Sequence, residues 1–141
     1  MNQIQWLLLP LFIHMGLLTY VGVKALSGRI NAVRSGKTRL KDIALNAAAW
    51  PDDVRKFGNN FTNQFELPTF WYALCGLLIA TSKVDLVEII LCWAFALSRI
   101  VHSTIHTGNN KITYRMFAFL ASFATLTLMF AWFGLRLYFL G

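Results

Sequence analysis

Charge is scarce in this chain. Of its 141 residues only 13% are Asp, Glu, Lys or Arg, about half the share of an ordinary soluble domain. Acidic residues are the scarcest, six against 13 basic ones. So little polar sequence leaves no room for a separate soluble module, and a single domain over residues 1–141 accounts for the length. The two cysteines, Cys75 and Cys92, lack CxxC spacing and both fall in apolar runs. Neither a disulfide framework nor a zinc site is indicated, and small buried side chains are expected instead. No basic segment precedes the first apolar run and no A-x-A-like site follows it, so that run is expected to be retained rather than cleaved as a signal peptide. Internal repeats and low-complexity segments are absent.

What the chain has in abundance is apolar material. The hydrophobic fraction is 57%, with 12 Phe, 5 Trp and 4 Tyr, and the mean hydropathy is +0.54. Four stretches are long enough to supply the roughly 20 residues of helix that a hydrocarbon core requires. They run over about 4–26, 57–81, 84–107 and 113–140. The expected fold is therefore all-α: an integral membrane four-helix bundle. Local signals mark its boundaries. Pro51-Asp52-Asp53 puts a proline and two acids where a helix begins. Ser82-Lys83-Val84-Asp85 resembles a capping box opening the third span, and Gly108 follows Thr107 as a C-terminal cap would. Only a few residues separate the second and third spans, which must then run antiparallel.

The net charge of +7 is not spread evenly. Arg29, Arg34, Lys37, Arg39, Lys41, Arg55 and Lys56 surround the first loop and Lys111 lies in the third, whereas the other side holds Lys83 and Arg136. Basic residues beside apolar spans speak for anionic lipid and membrane topology, not for nucleic acid. The positive-inside rule places loops one and three in the cytosol and both termini outside. Trp6, Trp50 and Tyr138 fall near span ends, where interfacial aromatics belong.

Polar groups inside the spans are costly, so they mark partners or wet cavities. The second span carries Asn59, Asn63 and Glu66 at i, i+4 and i+7, on one helical face. The third carries Arg99, His102 and His106 at i, i+3 and i+7, again on one face. At 1.5 Å per residue Glu66 lies roughly 15 Å beyond Lys56, and Arg99 roughly 13 Å before Gly108, so the two are expected at one depth as an ion pair. Arg115 opens the fourth span near the same mouth. Each group also has a plainer reading: a register-holding ion pair, amides that glue helices together, or a lone packed histidine at His14. His102 and His106 are spaced for a metal, but only Glu66 offers a third ligand, and no metal site is expected.

These residues carry a resemblance. Asn63-Gln64-Phe65-Glu66-Leu67-Pro68 resembles the second-helix motif of the MAPEG family, membrane-associated proteins in eicosanoid and glutathione metabolism. Arg99-Ile100-Val101-His102-Ser103, with Arg115 following, resembles that family's third-helix motif and the arginine opening its fourth helix. Asn59 stands where many members have arginine, and the sequence is more similar to the bacterial members. The resemblance implies a homotrimer with glutathione bound between protomers at the cytosolic side. Asn63, Glu66, Arg99, His102, His106 and Arg115 would be its binding residues, and Arg115 would stabilise the glutathione thiolate.

The chemistry agrees with that implication. Glutathione carries two carboxylates, an amine and a thiol, which suits arginines accompanied by a carboxylate. A thiol with a pKa near 8.5 attacks as its thiolate, and a cation that lowers this by about two units stabilises the anion by roughly 2.7 kcal/mol. The expected function is a glutathione-dependent transferase or peroxidase acting on a lipophilic electrophile that enters from the bilayer. The alternative is a non-catalytic membrane protein binding a lipid or anionic metabolite in the same pocket. A proton-coupled transporter is disfavoured because four spans without broken helices or inverted repeats offer little machinery for alternating access.

Overall fold

The computed structural model describes residues 1–140. Six α-helices make up the fold of these residues: α1 (Gln3–Arg34), the short α2 (Leu40–Ile43), α3 (Asp52–Asn63), α4 (Leu67–Ala80), α5 (Leu86–Thr107) and α6 (Ile112–Tyr138), with a 3₁₀ turn at Ala47–Ala49 before α3. No strand occurs among the described residues. Helices α1, α5 and α6 are each long and apolar enough to cross a membrane. α5 packs most extensively on α6, while α1 lies against α3 and α5, and α4 against α6 and α1. Their shared core contains Leu7, Trp71, Leu74, Cys75, Leu78, Cys92, Phe95 and Met129.

Caps follow the sequence signals in most places. Asn2 and Gln5 form a reciprocal capping box on α1. Pro51 precedes α3, and Asp52 and Asp53 occupy its first turn, next to the positive end of the helix dipole. Gly108 caps α5, and a Cβ there would lie 2.8 Å from the carbonyl oxygen of Thr104, so the close approach requires glycine. The start of α5 differs from expectation. Asp85, not Ser82, is the cap, accepting from the Glu88 N–H at 2.8 Å, while Ser82 takes φ +55° in the turn.

The second expected span is not one helix. It breaks between Asn63 and Leu67 into α3 and α4, too short individually to cross. Pro68 explains the break: it has no N–H for the Gln64 carbonyl, and its ring crowds that carbonyl. Of the two features that disfavour a transporter, the lack of broken helices does not hold for the second span, while the lack of inverted repeats still does. Pro10, inside α1, leaves the Trp6 carbonyl without its helical donor in the same way, yet α1 continues. There the indole Nε1 of Trp93 donates to Trp6 O at 3.1 Å, replacing the missing bond from a neighbouring helix.

Cys75 and Cys92 are free and buried, as expected. Their sulfurs lie 3.8 Å apart, across α4 and α5.

Candidate functional site

At the basic end of the molecule the C-terminal end of α1 packs on the N-terminal end of α3, and the N-terminal ends of α3 and α6 meet the C-terminal end of α5. Lys56 Nζ there reaches Gly108 O at 3.4 Å. Between α3, α5 and α6 opens a cleft of about 450 Å³. Asn59, His106 and Arg115 line it, together with Lys56 and the pair Asp52 and Asp53. Arg115 is half-buried and donates from Nη1 to Asn110 Oδ1 at 2.8 Å. That single bond leaves most of its guanidinium donors for another partner. Cations and carboxylates thus share one cavity, which suits a small ligand bearing both signs.

The site residues expected from the sequence divide into three groups. His106 and Arg115 line the cleft, and Asn63 stands just behind them, its Nδ2 3.5 Å from His106 Nδ1. His102 is buried behind His106, with ring centroids 5.7 Å apart, and also faces Phe119 at 6.3 Å. Arg99 is fully buried. Glu66 is exposed.

The expected Glu66–Arg99 ion pair is absent. Arg99 Nη2 instead donates to the main-chain carbonyl of Asn63 at 2.8 Å, with Gln64 Oε1 at 3.5 Å. The physical reason is the helix break. An unbroken helix would have placed Glu66 on the face of Asn59 and Asn63, but α3 ends at Asn63 and Glu66 falls outside it as the residue preceding α4. The carbonyl exposed at the C-terminus of α3 then attracts the guanidinium, since helix C-termini carry unpaired acceptors and partial negative charge.

Next to this break lies a polar network that the sequence reading missed. Gln64 Oε1 accepts from His14 Nε2 at 3.0 Å, and Gln64 Nε2 donates to Asn60 Oδ1 at 2.9 Å. Asn60 Oδ1 also accepts from Ser103 Oγ at 2.9 Å. His14 Nδ1 lies 2.9 Å from the Tyr72 hydroxyl. With hydrogen on Nε2, Nδ1 is the acceptor for that hydroxyl. His14 is therefore a packed histidine, as its isolation suggested, but it is also the far end of a chain of bonds joining α1, α3, α4 and α5. The sequence signal for it was Gln64 and Asn60, two amides flanking a proline break in an apolar run. In sequence, Asp52 and Asp53 carry only the signature of a helix start, and their place in the cleft depends on how α3 packs against α5 and α6.

No group of three or more His, Cys, Asp or Glu residues among the described residues could hold a metal ion. The fold and cleft define an α-helical integral membrane protein with a charged cavity at the basic end of its helices. The model of the MAPEG family matches residues 7–135. The chain belongs to that family, which is associated with glutathione in general. No curated protein and no solved structure matches it.

Proposed function

We propose that this MAPEG protein is a membrane-embedded, glutathione-dependent transferase or peroxidase acting on a lipophilic electrophile. The observation that carries this reading is the shared cleft of Arg115, His106 and Lys56 with Asp52 and Asp53. Its volume falls in the range of small-molecule sites. Lys56 supplies a cation for a glutathione carboxylate, and Asp53, the aspartate of the two that is not paired with Arg55, supplies counter-charge for the amine. Arg115 faces the thiol. Its positive charge favours the thiolate, and the displaced proton leaves to water at the cleft mouth. Attack by sulfur then forms the new carbon–sulfur bond as the electrophile's leaving group departs with the bonding pair.

In this reading α3 and α4 together form a second crossing, so that the chain passes the bilayer four times. The basic end faces the cytosol and both termini lie outside, in the inner membrane. The assembly is a homotrimer. Glu66, exposed and without a partner in its own chain, is available to a neighbouring protomer, as a site shared between copies would require. Arg99 and His102 act from behind, holding the wall on which His106 and Asn63 stand.

The test is to incubate detergent-purified protein with glutathione and a lipophilic electrophile and to detect the conjugate by mass spectrometry. Arg115→Ala is expected to lose most of the rate while retaining its assembly. Binding without conjugate in the wild type would instead favour a non-catalytic binding protein.

A further inference from the structure

A second cavity lies at the basic end, away from the cleft. Ile30, Val33, Leu40, Ile43 and Trp50 wall a groove of about 380 Å³, together with Arg29 and Arg34. The Arg29 guanidinium sits 5.5 Å over the Trp50 ring. A Cβ on Gly58 would come within 3.0 Å of Arg29 Nη2, so this guanidinium is held between the indole and the α3 backbone. The ion pairs among the described residues are Arg39–Asp42, Arg55–Asp52 and Arg136–Asp85. Arg29 and Arg34 have no carboxylate partner.

Depth narrows the occupant. The apolar run of α1 from Ile4 to Val23 covers the roughly 30 Å of a hydrocarbon core. Arg29 then lies roughly 9 Å further along the helix axis, at the level of lipid headgroups. The loop that follows exposes Leu40 (67%) and Leu45 (102%) among basic residues, the composition of a segment resting in the membrane interface. A free anion would leave the apolar walls wet, and a neutral lipid would leave two arginines without counter-charge. An anionic phospholipid satisfies both.

We propose that this groove is a binding site for an anionic phospholipid of the surrounding bilayer, its phosphate on Arg29 and Arg34 and the start of an acyl chain against Ile30, Leu40 and Ile43. The site shares no residue with the Arg115 cleft, and the inference is independent of the proposed activity.

The full-length protein is reconstituted in nanodiscs of phosphatidylcholine and phosphatidylglycerol at equal mole fraction, and retained lipid is read by native mass spectrometry. The wild type is expected to retain phosphatidylglycerol over phosphatidylcholine on the order of tenfold. Arg29→Gln with Arg34→Gln should bring the ratio near parity, whereas Lys37→Gln with Lys41→Gln, outside the groove, should preserve it. Should the arginine variant fail to fold, Ile30→Ser with Ile43→Ser tests the apolar half, and reduced retention is expected with both arginines intact. Parity in the wild type overturns the proposal. So does equal loss in the lysine variant, which would mean diffuse attraction, or full displacement of the lipid by excess inorganic phosphate, which would mean a simple anion site.

Discussion

Arg99 of α5 donates through Nη2 to the main-chain carbonyl of Asn63, the last residue of α3, at 2.8 Å. A buried cation thus closes the end of a helix broken in mid-span. Without it the carbonyl would sit unpaired in an apolar setting, and a hydrogen bond to a charged group is worth about 1.5–3 kcal/mol. Arg99→Met should therefore lower stability in detergent by about 2 kcal/mol, with Arg99→Lys intermediate. Thermal unfolding followed by circular dichroism measures this, and an unchanged midpoint in Arg99→Met would remove the closing role.

His14 and Gln64 lie 50 residues apart in sequence and 3.0 Å apart in space. Both are buried, so truncating either strands the other's polar atom. His14→Leu and Gln64→Leu should each cost about 1–3 kcal/mol. The double variant should cost less than the sum, with a coupling of about 1 kcal/mol. Strict additivity would mean that the bond contributes nothing.

At the opposite end, Asp85 caps α5 from just outside it. It accepts from Glu88 N–H at 2.8 Å, Trp132 Nε1 at 2.9 Å and Arg136 Nη1 at 2.6 Å. Burial pushes the Asp85 carboxyl up, but these donors and the Arg136 charge outweigh it and hold the group below its usual value. A depressed folded-state pKa contributes stability that is present above the unfolded-state pKa and is lost as pH falls through the folded one. Wild-type stability should decline on acidification below the ordinary carboxylate range. Asp85→Asn should be less stable at neutral pH and should flatten that decline, as unfolding midpoints across pH would record.

Glu66 gives the converse case. Exposed and free of an ion pair in its own chain, it should tolerate Glu66→Gln within about 0.5 kcal/mol in the isolated protomer. A larger loss confined to the assembled state, read by native mass spectrometry of the oligomer, would place Glu66 at a contact between copies.

The features legible in sequence were those written locally. Apolar runs announced α1, α5 and α6, and Pro51 with its two acids announced α3. The i, i+3, i+7 pattern brought Arg99, His102 and His106 to one side of α5, all three buried. Glu66 was misplaced because its position relative to Asn59 and Asn63 depends on the helix continuing through Pro68. Hydropathy is indifferent to one proline in a greasy stretch, and Pro10 shows that a proline need not end a helix when Trp93 covers the orphaned carbonyl. The His14–Gln64–Asn60 network was hidden for another reason. Its partners come from α1, α3, α4 and α5, and no spacing rule within one helix reports which amide will face which imidazole.

On the proposed function the Arg115 cleft takes up glutathione and favours its thiolate. Ultraviolet difference spectroscopy of the thiolate, recorded with glutathione added at a pH below its own thiol pKa, tests this without needing the electrophile. The wild type should produce a saturable thiolate absorbance that Arg115→Ala abolishes while remaining folded. No absorbance in the wild type, or an equal one in the variant, would contradict it.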